Sequence, residues 1–205
     1  MLLFFGASGH AGVVIDILNK LNTFNIVGLI DDYKAPGTIV YGYPILGGIE
    51  NIQLIMEKNK CAAGFIAIGD NYSRLSVYRE ILSKNKDFTF INVIDPTAVI
   101  MDSVTLGVGV TIMPGVIINS NCIINDFCII NTASSIDHDS TIGCFSSLAP
   151  GVITGGHVQV EKLVTVSIGV VLARKVKIDK GAVVGAGSVV LSNISPEYAI
   201  IWNSG

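Results

Sequence analysis

Val110-Thr111-Ile112-Met113-Pro114-Gly115-Val116-Ile117-Ile118-Asn119-Ser120-Asn121-Cys122-Ile123-Ile124-Asn125-Asp126-Phe127-Cys128-Ile129-Ile130 repeats its pattern every six residues. An aliphatic side chain returns at Ile112, Ile118, Ile124 and Ile130, and a small or β-branched residue stands two places before each. Followed outward, the aliphatic series begins with Ile94, Ile100 and Leu106. It continues through Ile136, Ile142, Leu148, Thr154, Val160, Val166, Leu172, Ile178, Val184 and Val190, and only Thr154 breaks the rule. A period of six matches neither the 3.6-residue helix nor the heptad. It fits a triangular coil whose three short sides take one repeat each, with one large aliphatic per side pointing inward. Gly, Asn and Asp gather just after the aliphatic position, where tight corners need them. About five such coils, stacked at the inter-strand distance, make a prism roughly 25 Å tall.

Ahead of Asp95-Pro96 the chain has another character. The apolar run Leu2 to Phe5 leads into Gly6-Ala7-Ser8-Gly9-His10-Ala11-Gly12. Val13, Val14, Ile17, Leu18 and Leu21 then recur at helical spacing and predict one apolar face. Ile26 to Ile30 reads as a second strand ending at Asp31-Asp32. Phe65 to Ile68 reads as a third ending at Gly69-Asp70-Asn71, with Leu75, Tyr78, Ile81 and Leu82 on a following helix. Strand and helix in alternation predict a small parallel sheet of Rossmann type over residues 1–93, with the repeat domain over 94–205. Ligands of such sheets sit at the carboxyl ends of the strands, where Asp31, Asp32, Gly69, Asp70 and Asn71 lie.

Bulk properties narrow the function classes. The formal charge of -3 offers no excess of Lys and Arg to neutralise phosphates, which argues against a nucleic-acid surface. Mean hydropathy is high at +0.62. Yet no uninterrupted apolar run is long enough to span a bilayer, so no membrane segment is expected. Met1-Leu2-Leu3-Phe4-Phe5-Gly6 lacks the basic region and length of a signal peptide. The four cysteines, Cys61, Cys122, Cys128 and Cys144, show no C-x-x-C spacing. A reduced, cytoplasmic protein without a structural metal is the expectation.

The hexapeptide series resembles the left-handed parallel β-helix acyltransferases, whose crossovers are the exception to the right-handed rule. Together with Gly6-Ala7-Ser8-Gly9-His10 and Asn131-Thr132-Ala133-Ser134-Ser135-Ile136-Asp137-His138-Asp139, the chain resembles the bacterial sialic acid O-acetyltransferase and nucleotide-amino-sugar N-acetyltransferase family. The resemblance covers essentially the whole chain. It implies a homotrimer with active sites between neighbouring prisms, a sugar nucleotide or sugar acceptor held by the N-terminal domain, and acetyl-CoA lying along the prisms.

By the same resemblance His138 is the catalytic base and Asp139 its adjacent carboxylate. Acetyl transfer requires the acceptor to lose a proton as it attacks the thioester, and a neutral imidazole can take it. Asp139 would orient the ring and stabilise the imidazolium, as in serine hydrolases. The alternative is a histidine in a solvent-facing turn. Three repeats complete a coil, so His138 sits over Gly156 and then Arg174, while Asp139 sits over His157 and then Lys175. His157 either assists the site or ties two coils together. Where many relatives carry a second histidine, this chain has Ser147, whose hydroxyl can donate one hydrogen bond. A backbone N–H near Gly156 is a candidate for holding the acetyl oxyanion.

Acetyl-CoA contacts are expected at Ser147, Gly156, His157, Ile168, Arg174 and Gly187. Arg174, Lys175, Lys177 and Lys180 form either a phosphate site or a solvated basic edge. Acceptor contacts implied by the resemblance are Ser8, Gly9, His10, Asp31, Asp32, Asn71, Arg74 and Asn131. Gly6 and Gly12 serve equally well as turn and helix-packing residues, and the spacing G-x-x-G-x-x-G is not the dinucleotide fingerprint. The resemblance leads to N-acetylation of a nucleotide-linked amino sugar, with O-acetylation of a sialic acid-like sugar as the alternative. Zinc-dependent hydration would need three histidines, but one of the three present, His10, is in the other domain. A non-catalytic solenoid is the remaining class. The end, Ile201-Trp202-Asn203-Ser204-Gly205, departs from the Gly-x-Pro-Ala-like tail of relatives.

Overall fold

A computed structural model describes residues 1–61, 63–195 and the backbone of 200–201; the Trp202–Gly205 tail lies outside the described residues. The chain divides into two compact units, Met1–Val93 and Ile94–Gly205.

In the first unit, β1 (Leu2–Phe5), α1 (Gly9–Leu21) and β2 (Ile26–Ile30) follow in order. Next come β3 (Ile39–Val40), β4 (Tyr43–Gly47), α2 (Ile52–Asn59), β5 (Ala63–Ile66), α3 (Asn71–Lys84) and β6 (Thr89–Phe90). The sheet order is β3-β4-β2-β1-β5-β6, parallel except for β3 against β4. β1 is buried along its whole length, as a central strand covered on both faces must be. The apolar face of α1 is carried by Ala11, Val14, Ile15, Ile17 and Leu18, while Val13 is exposed. Val14, Ile17 and Leu18 face the core as the spacing predicts, and Val13 does not, because Val13 and Val14 are equally apolar and only packing chooses between them. Gly12 has its reason here: a Cβ would meet the Tyr41 ring at 2.8 Å.

The second unit is the left-handed β-helix. Among the described residues its two-residue strands build three parallel sheets of seven, six and five members. Register is offset by one coil throughout, as in Ile117 paired with Val99 and with Ser135. From Ile112 to Val190 every member of the aliphatic series is buried, Thr154 included. Ile94, Ile100 and Leu106 are half-buried. The residue two places earlier is also buried, from Val110 to Ser188. Each side therefore turns two side chains inward, not one, because the corner residue points into the prism as the chain bends. Serines in this second row satisfy their hydroxyls on neighbouring carbonyls. Ser134 Oγ donates to Ala149 O at 3.0 Å and Ser146 Oγ to Glu161 O at 2.8 Å.

From Gly109 to Gly187 each corner holds one residue in the left-handed region, and the three corner columns differ in chemistry. One is small: Gly115, Ala133, Gly151, Gly169, Gly187. One is apolar: Gly109, Phe127, Phe145, Leu163, Gly181. The third is polar: Asn121, Asp139, His157, Lys175. A left-handed non-glycine residue costs about 1 kcal/mol. In the apolar column stacking helps offset it, with the Phe127 and Phe145 rings parallel at 4.8 Å. The polar column carries the candidate chemistry.

Candidate functional site

Asp137, His138 and Asp139 form one corner of the third coil. His138 Nδ1 lies 2.7 Å from Asp139 Oδ2, a charge-assisted contact between adjacent residues. The left-handed turn at Asp139 (φ 58°) folds its carboxylate back to the ring. With Nδ1–H donating to Asp139, Nε2 carries the lone pair that can accept a proton. The hydrogen bonds from His138 and then from Asn121 Nδ2, at 3.2 Å, hold the Asp139 carboxyl below the usual carboxylate range. Asp137 is likewise lowered, chiefly by the His138 backbone N–H at 2.9 Å and also by Asn119 Nδ2 at 3.0 Å.

The stacking is as the three-sided repeat requires. His157 N donates to His138 O at 2.9 Å, and Lys175 N to Gly156 O at 2.9 Å. The His138 ring covers Gly156 so closely that a Cβ there would stand 2.6 Å from Nε2. Among the described residues the Gly156 N–H makes no hydrogen bond. His157 packs edge-on against His138 with ring centroids 5.1 Å apart, and its Nε2 is 3.8 Å from Asp139 Oδ2. Donor atoms of His138, Asp139 and His157 lie within 4.8 Å of one another, the group among the described residues that could hold a cation.

Four of the prism residues singled out from sequence do not share this corner. Asn131, exposed Ile168 and Gly187 belong to the preceding corner, and Ser147 to the face leading into that one. Arg174 is exposed on the His138 corner. Lys177 is committed to Asp179 at 3.1 Å and Glu161 at 3.6 Å, which raises its pKa, so the basic cluster reduces to Arg174, Lys175 and Lys180. Stacking forward from the histidine misses Asn119 and Asn121; the same rule taken one coil back finds both.

In the first unit a cleft of about 460 Å³ opens over the carboxyl ends of β1, β2 and β5. Ser8, Asp31 and Asp32 line it, with Tyr33, Lys34, Ser73 and Ser76 added by the structure. Asp31 ties the glycine loop to β2, accepting from Ala7 N and Tyr33 N at 3.0 Å. Asp32 accepts from Ile49 N at 2.8 Å. Gly9 and His10 are not in its lining. Asn71 and Arg74, two of the expected acceptor contacts, are both buried, and Arg74 donates to Ile68 O and Gly69 O at 2.9 Å and to Asn71 Oδ1 at 2.7 Å. A guanidinium spent on internal carbonyls shapes the end of β5 and does not line the cleft. Burial and then the Arg74 charge push the His10 imidazole down to about 4.

Residues 1–81 match the family model of the PglD N-terminal domain. The whole chain is similar to a variant of perosamine N-acetyltransferase from Caulobacter crescentus solved with CoA and GDP-perosamine. Identity is 32%, coverage 94% of this chain and 89% of that one, and the TM-score 0.87. The acetyltransferase domain of PglB from Neisseria gonorrhoeae, solved with acetyl coenzyme A, is 25% identical with a TM-score of 0.84 over 94% and 91% of the two chains. WeeI from Acinetobacter baumannii is 28% identical with a TM-score of 0.84 over 95% and 92%. A relative at 32% identity, matched over nearly its full length on the fold and repeat described above, settles the kinship: the chain belongs to the NeuD/PglD-like family of hexapeptide-repeat sugar acetyltransferases.

Proposed function

We propose that the protein transfers the acetyl group of acetyl-CoA to the amino group of a nucleotide-linked amino sugar, with His138 as general base. The observation that carries this reading is the 2.7 Å His138–Asp139 contact, which leaves Nε2 as the accepting nitrogen over Gly156. The amine attacks the thioester carbon and forms the C–N bond while Nε2 takes its proton. Asp139 stabilises the imidazolium, and the Gly156 N–H is the donor for the tetrahedral oxyanion. Breakage of the C–S bond releases CoA, whose sulfur recovers the proton from the imidazolium. O-acetylation would use the same base; the likeness to a perosamine N-acetyltransferase favours nitrogen.

The cleft over β1 and β2 suits the nucleotide, with an exposed tyrosine for stacking and Asp31, Asp32 and Ser8 for hydrogen bonding. Acetyl-CoA runs along the prism in this reading, its phosphates meeting Arg174. Two features support a homotrimer. Val99, Ile117, Ile153, Val171 and Val189 form an outward aliphatic ridge, 37–57% exposed, on one face. That face separates the His138 corner from the Ile168–Gly187 corner, so a copy covering it brings the second corner of one chain to the first of another. Four free cysteines suit a reducing compartment, the cytoplasm. Among the described residues no helix is long and apolar enough to cross a membrane.

The test is His138→Ala in a thiol-release assay with a panel of nucleotide-linked amino sugars. A fall in kcat of about 10²–10⁴ with acetyl-CoA affinity kept is expected. More than half of wild-type kcat would place the base elsewhere.

A further inference from the structure

Thr154 is the one member of the series that is not aliphatic, and it lies one coil beyond Ile136, the residue immediately before the corner that carries His138. The strand ladder is regular at the equivalent position elsewhere. Asn119, Asn125, Asn131, Gly143 and Gly155 each donate their backbone N–H to the carbonyl of the aliphatic residue on the next coil. Asp137 does not. Its N–H donates to the Thr154 hydroxyl at 3.0 Å, and only Ser135–Ile153 of the two expected pairs forms. On either side the ladder is intact, with Ser135 N to Val152 O and His157 N to His138 O both at 2.9 Å. The interruption is confined to a single peptide.

From this we infer that Thr154 is a positioning residue for His138, an inference that rests on the base assignment above. Its hydroxyl captures the 136–137 peptide N–H on a side chain that points into the prism, with a relative exposure of 4%. The peptide plane is thereby turned away from the direction the ladder would impose, and that plane sets where Asp137 and the His138 backbone begin. The ring that follows is packed over Gly156 with no room for a Cβ. An aliphatic residue at 154 would return the Asp137 N–H to the carbonyl of residue 154 and reset the height of the turn over Gly156.

Thr154→Val keeps the shape and matches Val160 and Val166 in the series. It should lower kcat about tenfold, since sub-ångström displacement of a base is costly. KM for acetyl-CoA should stay within twofold, and Tm should not fall, because a ladder bond is regained. Thr154→Ser retains the acceptor and should restore the rate. In a His138→Ala background, Thr154→Val should cause no further loss. Loss of rate in step with Tm, equal loss in the serine and valine variants, or additive loss in the double variant would overturn the inference. Wild-type rate for Thr154→Val beside an inactive His138→Ala would overturn this inference alone. A fully active His138→Ala would overturn the base assignment and this inference with it.

Discussion

Gly156→Ala isolates the contact on which the proposed base depends. Gly156 does not adopt the left-handed conformation, so alanine leaves the backbone unstrained and keeps the N–H proposed as the oxyanion donor. The added Cβ would stand 2.6 Å from His138 Nε2, 2.7 Å from Cε1 and 3.1 Å from Cδ2. An ordinary contact is about 3.5 Å, so the ring must recede by about 0.9 Å. The side chain is 45% exposed and can move outward, but only by straining the 2.7 Å bond to Asp139. Displacement of about 1 Å at a reacting centre costs about 10²-fold in rate, or about 2.7 kcal/mol. Initial rates of thiol release at saturating acetyl-CoA measure it, with Tm followed in parallel. The exposed ring can yield, so Tm should stay near the wild-type value. A kcat within twofold of wild type would refute the placement of the working nitrogen over Gly156.

Asp139→Asn should lower kcat by about 10²-fold or more, because an amide donating to Nδ1 leaves the proton on Nε2, the wrong tautomer for a base. The Asp139 carboxyl is held below its ordinary range, so the charge is lost only as pH falls through that depressed value. His10 makes stability pH-dependent with a definite sign. Its folded-state pKa of about 4 is below the ordinary value of 6.5, so the unfolded chain binds the extra proton and stability falls as pH drops from 6.5 toward 4. Between pH 7 and 5 the loss is about 2 kcal/mol, and His10→Gln should remove that slope in urea titrations. Arg174→Ala should weaken acetyl-CoA in a salt-dependent way and leave the sugar nucleotide untouched in calorimetry; equal weakening of both ligands would sink the proposed division of labour.

The prism was legible in the sequence because its period is set by local geometry: one inward residue per short strand and a corner every six places. The strands Leu2–Phe5 and Ile26–Ile30 were legible for the same reason, being continuous apolar runs bounded by turn residues. The constant length of a coil even predicts that His138 lies over Gly156 and Asp139 over His157. What it could not supply was direction. Whether Val13 or Val14 faces the core, whether Arg74 reaches a cleft or folds back on Ile68 O and Gly69 O, and whether Lys177 is available or paired depend on neighbours remote in sequence. The same holds for Thr154, which the series showed only as an exception. That its hydroxyl replaces a carbonyl in the ladder beneath His138 is a matter of fractions of an ångström between stacked coils, decided by the tertiary structure alone. A repeat dictates which residues are stacked, because chain length per coil is constant; packing decides which atoms of those residues meet.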